Sequence, residues 1–141
     1  MQAREPRRWV NILVRYMDIR IKELLLLGSS ASSVDEILEA YSRSDTHFIT
    51  VFPQTRPDAV IAYRKEAGTI EILDLAVDPD CRNQGLGSLL IERMIADHSP
   101  AKVIAETDDD AVDFYRNLGF NAVPFQSKWG ITRYKLDLEC T

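Results

Sequence analysis

The stretch Glu71-Ile72-Leu73-Asp74-Leu75-Ala76-Val77-Asp78-Pro79-Asp80-Cys81-Arg82-Asn83-Gln84-Gly85-Leu86-Gly87 constrains this chain more than any other. An apolar strand is stopped at Asp78-Pro79-Asp80, runs through a short loop and meets two glycines that open a helix. Glycines there let backbone N–H groups come close to a ligand, and a helix N-terminus adds about half a positive charge. Phosphate is the natural guest of such a loop, although helix-opening glycines also serve as plain packing devices. A Walker loop is excluded, because Gly87-Ser88-Leu89 lacks the lysine. A dinucleotide fingerprint fits poorly: Glu106 stands about 20 residues downstream, but the third glycine position is Leu90. Residues 78–84 also separate the strand from Gly85, where that fold makes a tight turn.

The elements around this stretch follow from periodicity and punctuation. Residues 11–17 alternate as a first strand, and residues 19–27 and 34–41 read as two short helices. Gly28-Ser29-Ser30 breaks them apart, with Ser32 or Ser33 as the second N-cap. Residues 47–52 form a β-branched and aromatic strand closed by Pro53; residues 59–65 and Thr69–Val77 form a hairpin across Ala67-Gly68. From Gly85 the apolar residues Leu86, Leu89, Leu90 and Met94, widened by Ile91 and Ile95, trace one helical face as far as Ser99-Pro100. Lys102–Thr107 is a strand, and Ala111, Phe114, Tyr115 and Leu118 keep helical spacing before Gly119, a left-handed stop. Residues 121–125 and 132–138 supply the last strands. The order predicts an α/β (α+β) domain: a single mixed, largely antiparallel central sheet with helices on both faces.

At 141 residues the chain fits one domain, residues 1–141, with 1–10 expected as a loosely ordered extension. A 45% apolar share is too high for a disordered chain. The leucines at 24–27 fall far short of the ~20 residues a membrane helix needs. A net charge of −5 argues against a general nucleic-acid binder. Residues 1–22 carry a surplus of basic groups, so the body is more acidic than the whole, which either draws cationic ligands or simply keeps a solvated surface soluble. Cys81 and Cys140 are lone thiols, and His47 and His98 stand far apart, so no metal-ligand spacing exists. The thiols and the missing apolar leader predict a reducing, cytoplasmic setting.

Arg82-Asn83-Gln84-Gly85-Leu86-Gly87 matches the Q/R-x-x-G-x-G/A loop of the GNAT superfamily of acetyl-CoA-dependent N-acetyltransferases. Leu75-Ala76-Val77-Asp78-Pro79 looks like that family's central strand and its exit. Ala111-Val112-Asp113-Phe114-Tyr115-Arg116-Asn117-Leu118-Gly119-Phe120 resembles its second signature, A-x-x-F/L-Y-x-x-x-G-F. The resemblance is close over residues 69–120. It implies a V-shaped splay between Thr69–Val77 and Lys102–Thr107 that admits the pantetheine arm. Arg82, Asn83, Gln84, Gly85, Leu86, Gly87 and Ser88 would hold the CoA pyrophosphate. Leu75, Ala76 and Val77 would line the arm, with the Leu75 N–H polarising the acetyl carbonyl.

Tyr115 falls where the family keeps a general acid, although it also lies on an apolar stripe where most tyrosines only fill core. Glu71 is expected first as the base, with Asp74 as runner-up or as an amine-binding carboxylate. Simple alternation sets Glu71 with Leu73, Leu75 and Val77 on one face and Asp74 with Ile70 and Ile72 on the other. Asp108 replaces the family's usual asparagine and begins Asp108-Asp109-Asp110. These acids serve either as helix caps or as a binding edge for a cationic acceptor. The resemblance therefore implies direct transfer of acetyl to a primary amine, small or peptidic, in a ternary complex. It implies no metal and a homodimer as a common assembly, while the net charge and the short apolar runs imply no nucleic acid and no membrane. The alternative is a CoA-binding module of the same fold without turnover.

Overall fold

The computed structural model describes residues 8–12, 23–25, 46–52 and 58–140. In chain order the elements are β1 (Arg8–Ile12), β2 (Thr46–Phe52), β3 (Ala59–Glu66), β4 (Thr69–Val77), α1 (Leu86–His98), β5 (Lys102–Thr107), α2 (Val112–Asn117), β6 (Asn121–Gln126) and β7 (Thr132–Glu139). Residues 23–25 are helical, with Leu24 and Leu25 fully buried. The remainder of the two expected early helices, and residues 13–17 of the expected first strand, lie outside the described residues.

The strands form one seven-stranded sheet in the order β1-β2-β3-β4-β5-β7-β6. Every neighbouring pair is antiparallel except β4 and β5, which are parallel and so need the crossover that α1 supplies. The expectation of a mixed, largely antiparallel sheet is met. One boundary is corrected. Residues 8–10, expected in a loose extension, pair with β2 from Arg8↔Phe52 onward.

The β3–β4 hairpin turns through Ala67 and Gly68, both at positive φ. Its register then slips by one: Tyr63 opposes Ile72, but Ala62 opposes Asp74, leaving Leu73 as an extra bulged residue. This overturns the simple alternation. Ladder partners share a face, so Glu71 and Asp74 lie on the same face, beside Arg64 and Ala62. Ile70, Ile72, Leu75 and Val77 lie on the other.

That second face carries the main core. Ile49, Ile61, Tyr63, Ile70 and Ile72 from the sheet pack with Leu86, Leu90 and Met94 of α1 and with Val112 and Tyr115 of α2. On the Glu71–Asp74 face, Val60, Ala62 and Ala76 are buried at β3 and β4, whereas Val123 and Lys135 are exposed at β6 and β7. The central strands are therefore covered on both faces and the β6–β7 side on one.

Candidate active site

β4 and β5 pair only through Thr69↔Lys102, Ile70↔Val103 and Glu71↔Ile104. Beyond Glu71 the two strands have no common ladder, and this is the splay. Which β4 groups face the gap follows from one bond: the Asp78 N–H donates to the Asp58 carbonyl at 2.7 Å, on the β3 side. Counting back by alternation, Ala76 and Asp74 turn their peptide groups toward β3, and Leu75 and Val77 turn theirs into the gap. Ala76 therefore offers the gap no backbone group, unlike its two neighbours.

At the exit of β4, Asp78 is buried at 4% exposure, and its Oδ1 accepts the Asp80 N–H at 2.8 Å. This bond caps a single 3-10 turn, Pro79–Cys81. Arg82 is then extended, Asn83 sits at φ +64° and Gly85 at φ +75°, and α1 begins. Among the described residues no side chain caps α1, whose N-cap is Gly85, and the first amide bonded within this turn is Leu89 N–H to Gly85 C=O, at 3.0 Å. The amides of Leu86, Gly87 and Ser88 thus point out of the helix end with its dipole behind them. With Arg82, Asn83 and Gln84 all exposed beside them, the arrangement suits a diphosphate.

The two glycines have different reasons. A Cβ on Gly85 would meet nothing within 4 Å, so its left-handed φ is what calls for glycine. A Cβ on Gly87 would stand 3.1 Å from Phe114 Cζ and 3.6 Å from Leu75 Cδ2. Gly87 is the close approach that lets α2 and β4 pack on α1.

Tyr115 is 6% exposed and its ring packs edge-on against Phe114 and Phe120, with centroids at 5.0 and 5.4 Å. Burial, then the charges of Asp74 and Asp108, push its phenol up to about 12, so it keeps its proton at neutral pH. Burial pushes Asp74 up to about 7. Glu71, expected first as base, is held by its cross-strand partner: Arg64 Nε donates to Glu71 Oε1 at 2.6 Å. Asp74 has no such partner among the described residues.

The Asp-rich turn is largely engaged. Asp108 Oδ1 accepts the N–H groups of Asp110 and Ala111 at 3.0 and 3.1 Å, the capping geometry that starts α2. Asp109 Oδ1 accepts the Tyr134 hydroxyl at 2.7 Å, and Arg116 lies over the Tyr134 ring. Among the described residues no group of three or more His, Cys, Asp or Glu is placed to hold a metal ion. Sequence reading missed Arg64 and Tyr134. Arg64 was within reach, since a two-residue turn at Ala67-Gly68 sets it opposite Glu71; nothing local points to Tyr134.

Known proteins share this fold. Residues 45–122 match the model of the acetyltransferase (GNAT) domain. A histone acetyltransferase, TAP1, from Glycine max is 43% identical over 56 residues, which is 38% of this chain and 24% of that protein. The chain thus spans about a quarter of the length of that curated relative. The fold is similar to an IAA acetyltransferase from Bacillus cereus, with a TM-score of 0.75 and 16% identity over 95% of this chain and 99% of that one. It is also similar to a GNAT family acetyltransferase from Elizabethkingia anophelis with acetyl-CoA bound, with a TM-score of 0.74 and 17% identity over 94% of this chain and 97% of that one.

Proposed function

The chain belongs to the GNAT acetyltransferase family, and on that premise we propose that it moves an acetyl group from acetyl-CoA to a primary amine by direct attack in a ternary complex. One observation carries the reading: the β4–β5 ladder stops at Glu71↔Ile104 while Leu75 and Val77 turn peptide groups into the gap. An extended pantetheine arm is the ligand that fits between two strands opened in this way. The similar structure from Elizabethkingia anophelis, which holds acetyl-CoA, supports that donor. The diphosphate then meets the amides of Leu86, Gly87 and Ser88 and the side chain of Arg82 at the uncapped start of α1.

The roles follow from position and protonation. The Leu75 N–H donates to the thioester oxygen, where negative charge develops as nitrogen attacks. Asp74 takes the proton that the amine must lose; a carboxyl near 7 is about half ionised at neutral pH and is poised for this. We place Asp74 before Glu71, because Arg64 holds the Glu71 carboxylate. As the carbon–nitrogen bond forms and the carbon–sulfur bond breaks, Tyr115 gives its proton to the departing sulfur. Acids at 108–110 remain a means of drawing the ammonium toward the gap, chiefly through Asp110, since Asp108 and Asp109 are bonded within the fold.

The test is thiol release from acetyl-CoA with a broad panel of amines, followed by mass detection of the products. Amine-dependent release with acetylated product is expected. Tight acetyl-CoA binding without release from any amine would make the chain a CoA-binding module instead.

A further inference from the structure

On the face of the sheet that holds Asp74, the register runs an unbroken row of side chains away from the gap. Past the last common rung, Glu71↔Ile104, β5 advances two residues to Glu106 while β4, with its bulge, advances three to Asp74. These two carboxylates flank the splay at one level. Glu106 opposes Lys135 on β7, Lys135 opposes Val123 on β6, and one rung nearer the mouth Arg133 opposes Phe125. The row is dipolar, with carboxylates at the gap on β4 and β5 and cations on β7, the next strand.

The outer part of this row is open. The strongly exposed large apolar side chains among the described residues, Val123 at 59%, Trp129 at 74% and Ile131 at 62%, all belong to the β6–β7 hairpin. In a chain of net charge −5, residues 121–135 carry Lys128, Arg133 and Lys135 and no acid. None of the three forms an ion pair among the described residues. Lys135 and Lys128 lie over the rings of Phe125 and Trp129, at 5.3 and 4.4 Å from their centroids. Because Thr107 opposes Tyr134, the hairpin tip projects past the mouth of the splay. Exposed apolar groups beside unpaired cations mark a surface built for contact.

We propose that this hairpin face docks an acceptor polypeptide that carries acidic and apolar residues about three to five positions from the amine to be acetylated. The location of the amine rests on the acetyl-transfer reading; the docking chemistry rests on the hairpin. The spacing follows from geometry: from Asp74 on β4 to the cations on β7 is two strand spacings, about 10 Å, to the apolar groups on β6 three, and an extended peptide advances about 3.3 Å per residue. A small amine at Asp74 does not reach Arg133 and Lys135. A cationic amine followed by acidic residues matches the order of charges on the face. A nucleic acid does not, because its phosphates would run over Glu106 and Asp74.

The experiment uses the full chain with CoA present and three fluorescent probes read by anisotropy. Two are heptapeptides with a free N-terminal amine and a C-terminal dye, one with Asp, Glu and Phe at positions four to six and one with Lys at the two acidic positions. The third is a labelled twelve-nucleotide uridine RNA. The acidic peptide should bind at least ten-fold tighter than the basic one, and its affinity should fall as salt rises. The double variant Arg133→Gln, Lys135→Gln should lose that preference with an unchanged melting temperature. Equal or tighter binding of the basic peptide or of the RNA by the unaltered protein overturns the proposal, whatever becomes of the variant. So does a preference that survives in the variant. Binding needs no turnover, so failure of thiol release with an intact peptide preference would strike the acetyl-transfer reading alone.

Discussion

The end of the molecule holding Gly68, His98 and Ala101 and the end holding Leu75, Asp74 and Gly85 are built from the same three elements, β4, α1 and β5. At the first end β4 and β5 are zipped, the Ala101 N–H reaches Gly68 C=O at 2.8 Å, and α1 closes with Ser99 N–H on Ile95 C=O at 2.8 Å. Tyr63, 1% exposed, shares a 2.7 Å hydrogen bond with His98 Nε2, and the His47 ring stacks on Tyr63. At the second end the ladder is undone, α1 has no side-chain cap and Asp74 is desolvated without a partner among the described residues. Leaving buried polar groups unmatched costs free energy. A sequence that completes one end of an element and not the other is reserving the second end for something outside the chain.

If that contrast is right, variants at the open end change chemistry and variants at the closed end change stability. The largest effect is expected from Asp74→Asn. It should lower kcat/KM by about 10³-fold and remove the rise in rate with pH that an acid near 7 produces. The same variant should be more stable at pH 8. A carboxyl whose folded pKa is raised costs stability as pH climbs from its unfolded value toward the folded one, so removing it returns roughly 1–4 kcal/mol. Rate profiles and thermal melts on one preparation check both signs. Next comes Tyr115→Phe, which should lower turnover by about 10²-fold and leave calorimetric CoA affinity unchanged, since ring packing is kept. Lost stability with full turnover would make the hydroxyl structural.

What sequence reading could and could not reach follows the same divide. The hairpin, the glycine loop and the start of α1 were legible because turns and helix ends demand particular residues: Ala67-Gly68, Asp78-Pro79 and Gly85 each announce a backbone event. The Leu73 bulge was not. An extra leucine within an apolar run leaves no local mark, yet it moves Asp74 to the face of Glu71 and reverses every side assigned after it. The capping role of Asp108 was readable from its place before a helix, whereas the engagement of Asp109 depends on Tyr134, 25 residues away. Local chemistry travels in sequence; register does not.

Smaller effects sharpen the contrast further. Gly87→Val should lower stability by about 1–3 kcal/mol, because its side chain drives into Phe114 and Leu75. Chemical denaturation measures it. At the closed end, Tyr63→Phe should cost about 1 kcal/mol and leave turnover intact. His98 is held below the usual imidazole range by burial, then by the charges of Lys65 and His47. The unfolded chain therefore takes up its proton first, and stability present above about pH 6.5 is lost as pH falls below it. His98→Gln should flatten that dependence in melts between pH 5 and 7.5. A large loss of activity in Tyr63→Phe would break the comparison between the two ends.

The most direct measurement is residue-resolved amide hydrogen exchange with and without saturating CoA. The account predicts that the Leu75 and Val77 amides, together with those of Leu86, Gly87 and Ser88, gain protection when CoA binds. The amides of Thr69, Ile70 and Glu71, already zipped beside β5, should stay as they were. Protection that bypasses Leu75 and Val77, or that arises at the His98 end instead, would contradict the claim that the opened strand receives the cofactor.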